Sequence, residues 1–140
     1  MVEYLMSIWQ GEMSEIKKPW GHEHSWQAPW GTGGKIICIN ADKRTSLKYY
    51  KMKNEVLLCY SGRIMVEAPD ENEFGNLNLS KQGSWFELTP GDLIYIQAEN
   101  RYRLKALEDS VLIEVTSGGH HGRECVMLED DFNRNKKIQK

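Results

Sequence analysis

Two stretches of the chain, residues 42–62 and residues 91–102, constrain the fold most, because both contain short strands next to turns. In the first stretch, residues 56–60 are apolar without a helical period, and Ser61-Gly62 has the composition of a turn. In the second, the apolar run 93–96 follows a turn. A strand that is apolar on both faces is typical of a sheet covered on both sides, as in a sandwich or in a barrel that also dimerises.

Two hairpins are predicted from the turns between neighbouring strands. Residues 63–68 alternate polar and apolar side chains and should pair with residues 56–60 around the Ser61-Gly62 turn. Residues 102–106 should pair in the same way with residues 111–116. Short strands at regular spacing, with little helix and no internal repeat, predict an all-β barrel.

The segments between these strands are expected to cover the barrel or to extend from it. Residues 19–33 hold two prolines, three glycines and three tryptophans, which predicts a loop whose aromatic rings pack against the barrel. Residues 69–82 are polar and predict a long surface connection. Residues 117–122 form a glycine-rich break, after which residues 126–132 should return to the barrel.

The length of 140 residues favours a single domain, which can bury about two-thirds of its unfolded surface and fold without staples. We divide the chain into an N-terminal arm (1–17), a barrel (18–134) and a frayed C-terminal tail (135–140). The apolar residues of the arm, among them Ile8 and Trp9, are compatible with a short amphipathic helix or with an extended strand.

Charge and cysteine usage narrow the possible partners and compartments. The net charge is −2 with both signs mixed, which argues against a nucleic-acid partner. Cys38, Cys59 and Cys125 lack metal-site spacing, and an odd number of thiols in mostly apolar surroundings favours a reducing cytoplasm. No apolar run reaches membrane-spanning length and no basic-then-apolar leader opens the chain, so we expect no membrane partner.

The spacing of the two stretches resembles the cupin pattern. That pattern is a Gly, five residues, His-x-His, three or four residues, Glu, six residues and Gly; its second half is Gly, five residues, Pro-x-Gly, two residues and His. Here Glu55 is followed by six residues and Gly62, and Gly91 by five residues and Gln97-Ala98-Glu99. The spacing fits without any insertion.

Several residues differ from the pattern although the spacing is kept. Lys48 and Tyr50 occupy the His-x-His positions, and Tyr102 occupies the final His position. Asp42 stands at the first Gly, while Gln97 and Glu99 stand at the Pro and the second Gly.

The flanking segments make the resemblance more specific. Residues 18–23 are similar to the opening segment of the cupin domain of type II mannose-6-phosphate isomerases, and residues 128–134 are similar to its closing segment. The resemblance covers residues 18–134. It implies an all-β cupin-type double-stranded β-helix, or jelly-roll barrel, and a place in carbohydrate metabolism.

The resemblance also places a pocket inside the barrel. Alternate residues of a strand share a face, so Lys48 and Tyr50 should point the same way. The resemblance implies that Glu55 and Tyr102 point into the same space. One ammonium, two phenols and one carboxylate are a poor donor set for iron, zinc or manganese, because lysine is protonated at neutral pH and tyrosine has a pKa near 10. We therefore expect no metal or other cofactor there.

Three functions are compatible with these four residues. Lys48 and Glu55 could form a buried ion pair capped by the tyrosines, in a barrel with a purely structural or assembly role. Alternatively, the pocket binds a sugar or sugar phosphate, with a tyrosine face against the ring and Lys48 on the phosphate. A metal-independent sugar-phosphate isomerase or epimerase would use Glu55 as base and Tyr50 or Tyr102 as acid.

Other polar residues suggest weaker hypotheses. His22 and His24 have the spacing of a metal-binding pair, but in a loop a structural or surface role is favoured. His120-His121 has the composition of a tag-like metal binder of low specificity. Arg101 and Arg103 flank Tyr102 and are expected to point away from it into solvent.

A two-fold homodimer is predicted from the apolar residues. The strand at residues 56–60 is apolar on both faces, and the N-terminal arm is also apolar. A patch of that size would be costly to expose on a monomer, so we expect a second copy to cover it.

Overall fold

The computed structural model describes residues 8–68, 85–117 and 125–134, and these residues form two facing antiparallel layers. Within them, no helix is long and apolar enough to cross a membrane. The strands in chain order are β1 (Ser14–Lys18), β2 (Gly21–Gln27), β3 (Gly33–Ile39), β4 (Leu47–Tyr50), β5 (Asn54–Ser61), β6 (Ile64–Glu67), β7 (Trp85–Leu88), β8 (Leu93–Ile96), β9 (Arg103–Ala106), β10 (Ser110–Ser117) and β11 (Cys125–Glu129).

The first layer is a six-stranded sheet in the order β1-β2-β3-β10-β5-β8. The second layer combines the three-stranded sheet β7-β6-β9 with the pair β11-β4. Backbone hydrogen bonds join these two parts, because Lys48 N donates to Tyr102 O at 3.1 Å and Tyr102 N donates to Lys48 O at 2.9 Å. This architecture is the jelly-roll barrel that the sequence predicts.

The core lies between the two layers and follows the two-residue period of the strands. In β5 the side chains of Leu57 and Cys59 point inward and are fully buried, as is Leu112 of β10. Ile64 of β6 and Leu104 of β9 meet them from the second layer. Burying a side chain of this kind stabilises the fold by about 1.5–3 kcal/mol, so alternation between the faces holds the two sheets together.

Both predicted hairpins are wrong, and for the same reason. β5 pairs with β8 and β10, whereas β6 pairs with β7 and β9 in the other layer. The segments predicted as the second hairpin, β9 and β10, also lie in different layers. In a jelly roll the chain crosses between layers at these turns, so a tight turn joins strands that do not pair with each other.

The predicted loop at residues 19–33 contains a regular strand instead. β2 pairs with β3 on one side and with β1 on the other, which shows that the end of the N-terminal segment is extended and belongs to the sheet. The aromatic residues separate, because Trp20 is buried while Trp30 is 75% exposed. The predicted surface connection at 69–82, residues 1–7, most of the glycine-rich break and the tail from 135 lie outside the described residues.

The backbone conformation agrees with the glycine positions of the cupin pattern. Gly62 and Gly91 have φ angles of 88° and 95°, and Asp42 and Glu99, which replace glycines, have φ angles of 66° and 74°. This left-handed conformation is uncommon for residues with a Cβ. The four positions therefore keep the local conformation of the pattern even where the glycine is absent.

Candidate functional site

The four residues predicted for the pocket come together at one end of the barrel. Tyr50 at the end of β4, Glu55 near the start of β5 and Tyr102 just before β9 are buried, with Glu55 only 2% exposed. Lys48 is half-buried, and its Nζ lies 4.7 Å from the centroid of the Tyr102 ring. The local alternation of strand β4 places Lys48 and Tyr50 on the same face, as the sequence predicts.

Lys53 is the cation in close contact with Glu55, and among the described residues Lys48, the partner that the sequence suggested, makes no ion pair within 4.0 Å of it. The Nζ of Lys53 lies 3.3 Å from Glu55 Oε2 and 3.4 Å from Glu114 Oε2. It also lies 3.7 Å from the centroid of the Tyr50 ring. Lys53 lies immediately before β5 and two residues from Glu55, whereas the Lys48 ammonium lies over the Tyr102 ring.

A second ion-paired group adjoins the first. The buried carboxylate of Glu23 on β2 lies 3.3 Å from Lys35 Nζ and 3.5 Å from Lys18 Nζ. The positive charge of Lys35 also acts on Glu114 and opposes the increase in the pKa of that carboxyl group. We call the combined set the charged cluster; its members are Lys18, Glu23, Lys35, Lys48, Lys53, Glu55 and Glu114.

The two carboxyl groups beside Lys53 titrate in opposite directions. Burial and, after it, the neighbouring Glu55 carboxylate together raise the pKa of Glu114 to about 8. Burial also opposes ionisation of Glu55, but its contacts with Glu114, Lys53 and Tyr102 outweigh that effect, and its pKa is lowered. Glu114 therefore holds a proton at neutral pH, while Glu55 is the ionised partner of Lys53.

Glu55 is incompletely satisfied although it is deeply buried. Within the part of the chain that the structure describes, neither oxygen of Glu55 has a partner with the geometry of a full hydrogen bond. The contacts that favour its ionised form are those with Glu114, with Lys53 and with Tyr102, and Lys53 Nζ lies 3.3 Å from its Oε2. A buried charge with free acceptor positions is costly unless a ligand or water reaches it.

Burial and neighbouring charges also shift the pKa values of two tyrosines and two lysines at this site. Burial raises the pKa of Tyr50 and of Tyr102 well above the ordinary value of 10.0, so both phenols remain protonated. Burial lowers the pKa of Lys48. The pKa of Lys35 is raised, because attraction to Glu114 and Glu23 outweighs the effect of its own burial.

Two cavities reach this end of the barrel. The smaller has a volume of about 330 Å³ and the larger about 1180 Å³. Lys35, Lys53 and Glu114 of the charged cluster line the smaller cavity, whereas Tyr102 lines the larger one. Lys48 lines neither of these two cavities.

The sequence predicts that the two arginines beside Tyr102 point into solvent, but one of them is buried and the other is half-buried. Arg103 is only 2% exposed; its Nε donates to Thr45 O at 3.2 Å and its Nη1 to Glu129 Oε2 at 3.3 Å. Arg101 is half-buried beside the larger cavity, and its Nε lacks a hydrogen-bond partner among the described residues. Arg103 does point away from the cluster, but its contacts belong to the interior of the protein rather than to solvent.

The sequence contained signals for the residues that were missed. Lys53 shares the inward face with Glu55 by simple alternation. Glu114 interrupts an otherwise apolar alternation and follows Leu112 by two residues, which places a single carboxyl on a core-facing side. Neither residue occupies a ligand position of the cupin pattern.

The histidine pair also lies in a different element from the predicted loop. His22 and His24 belong to strand β2, where both are half-buried on the face opposite to Glu23. Their rings are in edge-to-face contact with centroids 5.3 Å apart. His120 and His121 lie outside the described residues.

Solved structures with a similar fold include the capsular polysaccharide assembling protein CapF from Staphylococcus aureus (12% identity, TM-score 0.68, 86% of this chain and 33% of that chain). They also include oxalate decarboxylase from Bacillus subtilis (16%, TM-score 0.69, 83% and 30%) and KdgF from Halomonas sp. (14%, TM-score 0.59, 79% and 88%). This chain thus spans about a third of the length of the first two. At these identities the similarity establishes the fold.

No family model and no curated protein sequence matches this chain. The interpretation of the site therefore depends on its own geometry.

Proposed function

We propose that this chain, which has the cupin jelly-roll fold, binds a sugar phosphate at the end of the barrel without using a metal ion. The observation that carries the proposal is the cavity of about 330 Å³, at whose wall Lys35, Lys53 and Glu114 converge. Its volume lies within the range of small-molecule sites, about 300–1,000 Å³. A few convergent polar groups in such a cavity are typical of a binding site.

The charge of the cluster favours an anionic ligand. It contains four lysines and three glutamates, and the pKa of Glu114 is raised to about 8, which reduces the negative charge near neutral pH. Of these residues, Lys35, Lys53 and Glu114 line the cavity, together with Glu12. Lysine binds phosphate as a point charge. Lys35 is the best placed of the four, because it lines the cavity, its side chain is 26% exposed and its partner Glu23 keeps Lys18 as a second cation.

Other lining residues of the cavity suit the ring and hydroxyls of a sugar. Trp26 is one of them, and Ser25, Thr32 and Thr116 supply hydroxyl groups. Gly34 allows Trp26 to pack closely, because a Cβ at residue 34 would lie 2.4 Å from Trp26 Cζ2. A carbohydrate ligand agrees with the description of CapF as a capsular polysaccharide assembling protein.

The donor set at the usual cupin metal positions does not fit a divalent cation. The Lys48 ammonium stands over the Tyr102 ring, and the Lys53 ammonium lies 3.3 Å from Glu55 Oε2, the one carboxylate of the set. Burial raises the pKa of both phenols, which makes their deprotonation by a metal more costly. We therefore derive binding from the side chains alone.

The binding proposal predicts the effect of removing one ammonium. Lys35→Met should weaken the binding of a hexose 6-phosphate by about ten- to a hundredfold, because a charge-assisted contact contributes about 1.5–3 kcal/mol. Affinity for the free hexose should change little. Calorimetric titration of both proteins with mannose 6-phosphate, glucose 6-phosphate and inorganic phosphate measures this.

Lys48→Met is the comparison variant, because the sequence predicts that Lys48 holds the phosphate while Lys48 lines neither cavity. If Lys48→Met loses less affinity for the hexose phosphate than Lys35→Met, Lys35 is the main phosphate ligand. If Lys48→Met loses more affinity, Lys48 is the main phosphate ligand, as the sequence predicts. Unchanged affinity in both variants, or no binding to the wild-type protein, would end the sugar-phosphate proposal.

Catalysis is a second candidate, favoured by one observation. Two neighbouring carboxyl groups with pKa values moved in opposite directions are typical of an acid and a base. Ionised Glu55 would take a proton next to the sugar carbonyl, and protonated Glu114, or Tyr50 or Tyr102, would donate one, giving isomerisation or epimerisation. Deuterium uptake by a hexose phosphate in heavy water, lost in Glu55→Gln, would support an enzyme; no uptake would leave binding alone.

A homodimer is also part of the proposal, because the outer face of the six-stranded sheet exposes apolar side chains. On β5 and β8, Val56 lies opposite Tyr95 and Leu58 lies opposite Leu93. Tyr95 and Leu93 are 58% and 62% exposed. A contiguous apolar sheet face of this kind needs a cover, and a second copy related by a two-fold axis provides the same face.

The homodimer predicts a change of mass on a single substitution. The wild-type protein should sediment with the mass of two chains at micromolar concentration, and Tyr95→Glu should sediment as one, since a charge would be buried on each side of the axis. Trp30→Glu, which changes an exposed aromatic residue outside this strand pair, should stay dimeric. A single-chain mass for the wild-type protein would refute the homodimer.

A further inference from the structure

We propose that Glu15, His22 and His24 form a zinc site on the outer surface of the β1–β2 hairpin, separate from the barrel cavity. Each of the three residues offers one ligand atom, and these atoms lie within 4.8 Å of one another. The proposal is independent of sugar-phosphate binding, because none of the three residues lines either cavity.

The register of the hairpin creates the arrangement. Glu15 on β1 is the direct partner of His24 on β2, and His22 lies two residues before His24 on the same face. Directly opposite residues in an antiparallel pair have Cβ atoms about 4.5–5.5 Å apart, which allows both side chains to bind one ion. The histidines are on regular strand, so their direction is fixed by the backbone rather than by a loop.

The donor set suits zinc. Two imidazoles and one carboxylate are a known combination for this ion, with a fourth position open to water. Both rings are half-buried and already in contact, with centroids 5.3 Å apart, while Glu15 is exposed and can adjust its rotamer. Lys17 lies opposite His22, but it is exposed and its long side chain can turn away from the ion.

Zinc at this position would fasten an edge strand. β1 is at the edge of the six-stranded sheet, and β2 is its only partner among the strands that the structure describes. Its side chains are mostly exposed, so few apolar contacts hold it in place. Because the ligands come from both strands, the ion would link β1 to β2 and slow its detachment.

The test measures zinc binding by the full chain without an affinity tag, in competition with a chromophoric chelator. The wild-type protein should bind one equivalent. Loss of one ligand should weaken binding by at least about a hundredfold in His22→Gln and in His24→Gln, since even outer-shell changes cost ten- to a hundredfold. Glu15→Gln should also weaken it. Melting temperatures of the metal-free variants should equal that of the wild-type protein, which shows that they fold.

Two control variants separate the alternatives. The double substitution His120→Gln/His121→Gln should keep the zinc, and so should Glu55→Gln, which alters the barrel. Zinc should also slow amide hydrogen exchange in β1, an effect that binding elsewhere would not give. Equal affinity in His24→Gln, loss of zinc in the His120/His121 variant, or no stoichiometric binding would overturn the proposal. Stoichiometric metal lost only in Glu55→Gln would overturn it as well and would place the metal in the barrel.

Discussion

Lys53→Met should lower the free energy of unfolding by about 3–5 kcal/mol at neutral pH, which is the usual cost of removing one partner of a buried ion pair. Lys53 is almost fully buried and is the cation nearest to both Glu55 and Glu114, at 3.3 and 3.4 Å. Without it, the ionised Glu55 would remain in the core with no close counter-charge. Urea denaturation of the two proteins measures the difference.

Two further variants identify the cause of this loss. Lys53→Met/Glu55→Leu should recover much of the stability, because the unpaired carboxylate is removed together with its partner. Lys35→Met is the matched control: Lys35 is partly exposed, and its partner Glu23 keeps Lys18 at 3.5 Å, so about 1 kcal/mol or less should be lost. If Lys53→Met costs no more than Lys35→Met, Lys53 is not the central cation of the cluster.

The free energy of unfolding should also fall as the pH rises from about 4.5 to about 8. The pKa of Glu114 is raised from 4.5 to about 8 in the folded chain, first by burial and then by Glu55. Between these values the native protein holds a proton that the unfolded chain has released. Glu114 therefore makes its full contribution to stability below the pKa of the unfolded chain, and this contribution is lost as the pH rises through the pKa of the folded chain. The free energy of unfolding should fall by at most about 1.4 kcal/mol per pH unit in this range.

Glu114→Gln tests this directly, because the amide cannot ionise. Urea denaturation between pH 5 and 9 should give a flatter profile for Glu114→Gln than for the wild-type protein. The exposed Glu108→Gln should keep the wild-type slope. At lower pH the opposite trend is expected, since the pKa of Asp130 and of Asp131 is lowered by contacts that include Arg134 and Arg44 respectively. A wild-type profile without a decline above pH 5 would contradict the raised pKa of Glu114.

Much of the fold could be predicted from spacing because strand alternation and turn conformation are local properties. The sequence placed Lys48 and Tyr50 on one face, and the left-handed φ angles at Asp42 and Glu99 agree with the glycine positions of the pattern. The loop predicted at residues 19–33 was wrong because prolines, glycines and tryptophans flank and interrupt a strand that sheet pairing stabilises from both sides.

The site was less predictable because its main contacts are distant in the chain. Lys53 and Glu114 are 61 residues apart, and no period within either strand indicates that they meet. In the family pattern, the ligand position nearest in sequence to Glu55 that carries a cation is Lys48. Which lysine, Lys48 or Lys53, contacts the Glu55 carboxylate depends on their positions in three dimensions, and the sequence pattern does not give these positions.

The sequence by itself determined which residues of a strand share a face, because the two-residue period of a strand is set by its own backbone. It also determined the positions of the turns and the loss of the histidine ligands. Only the tertiary structure decided which strands pair and which lysine faces Glu55. It alone also gave Glu114 a pKa of about 8, because desolvation and the nearby carboxylate arise only when β5 and β10 lie side by side.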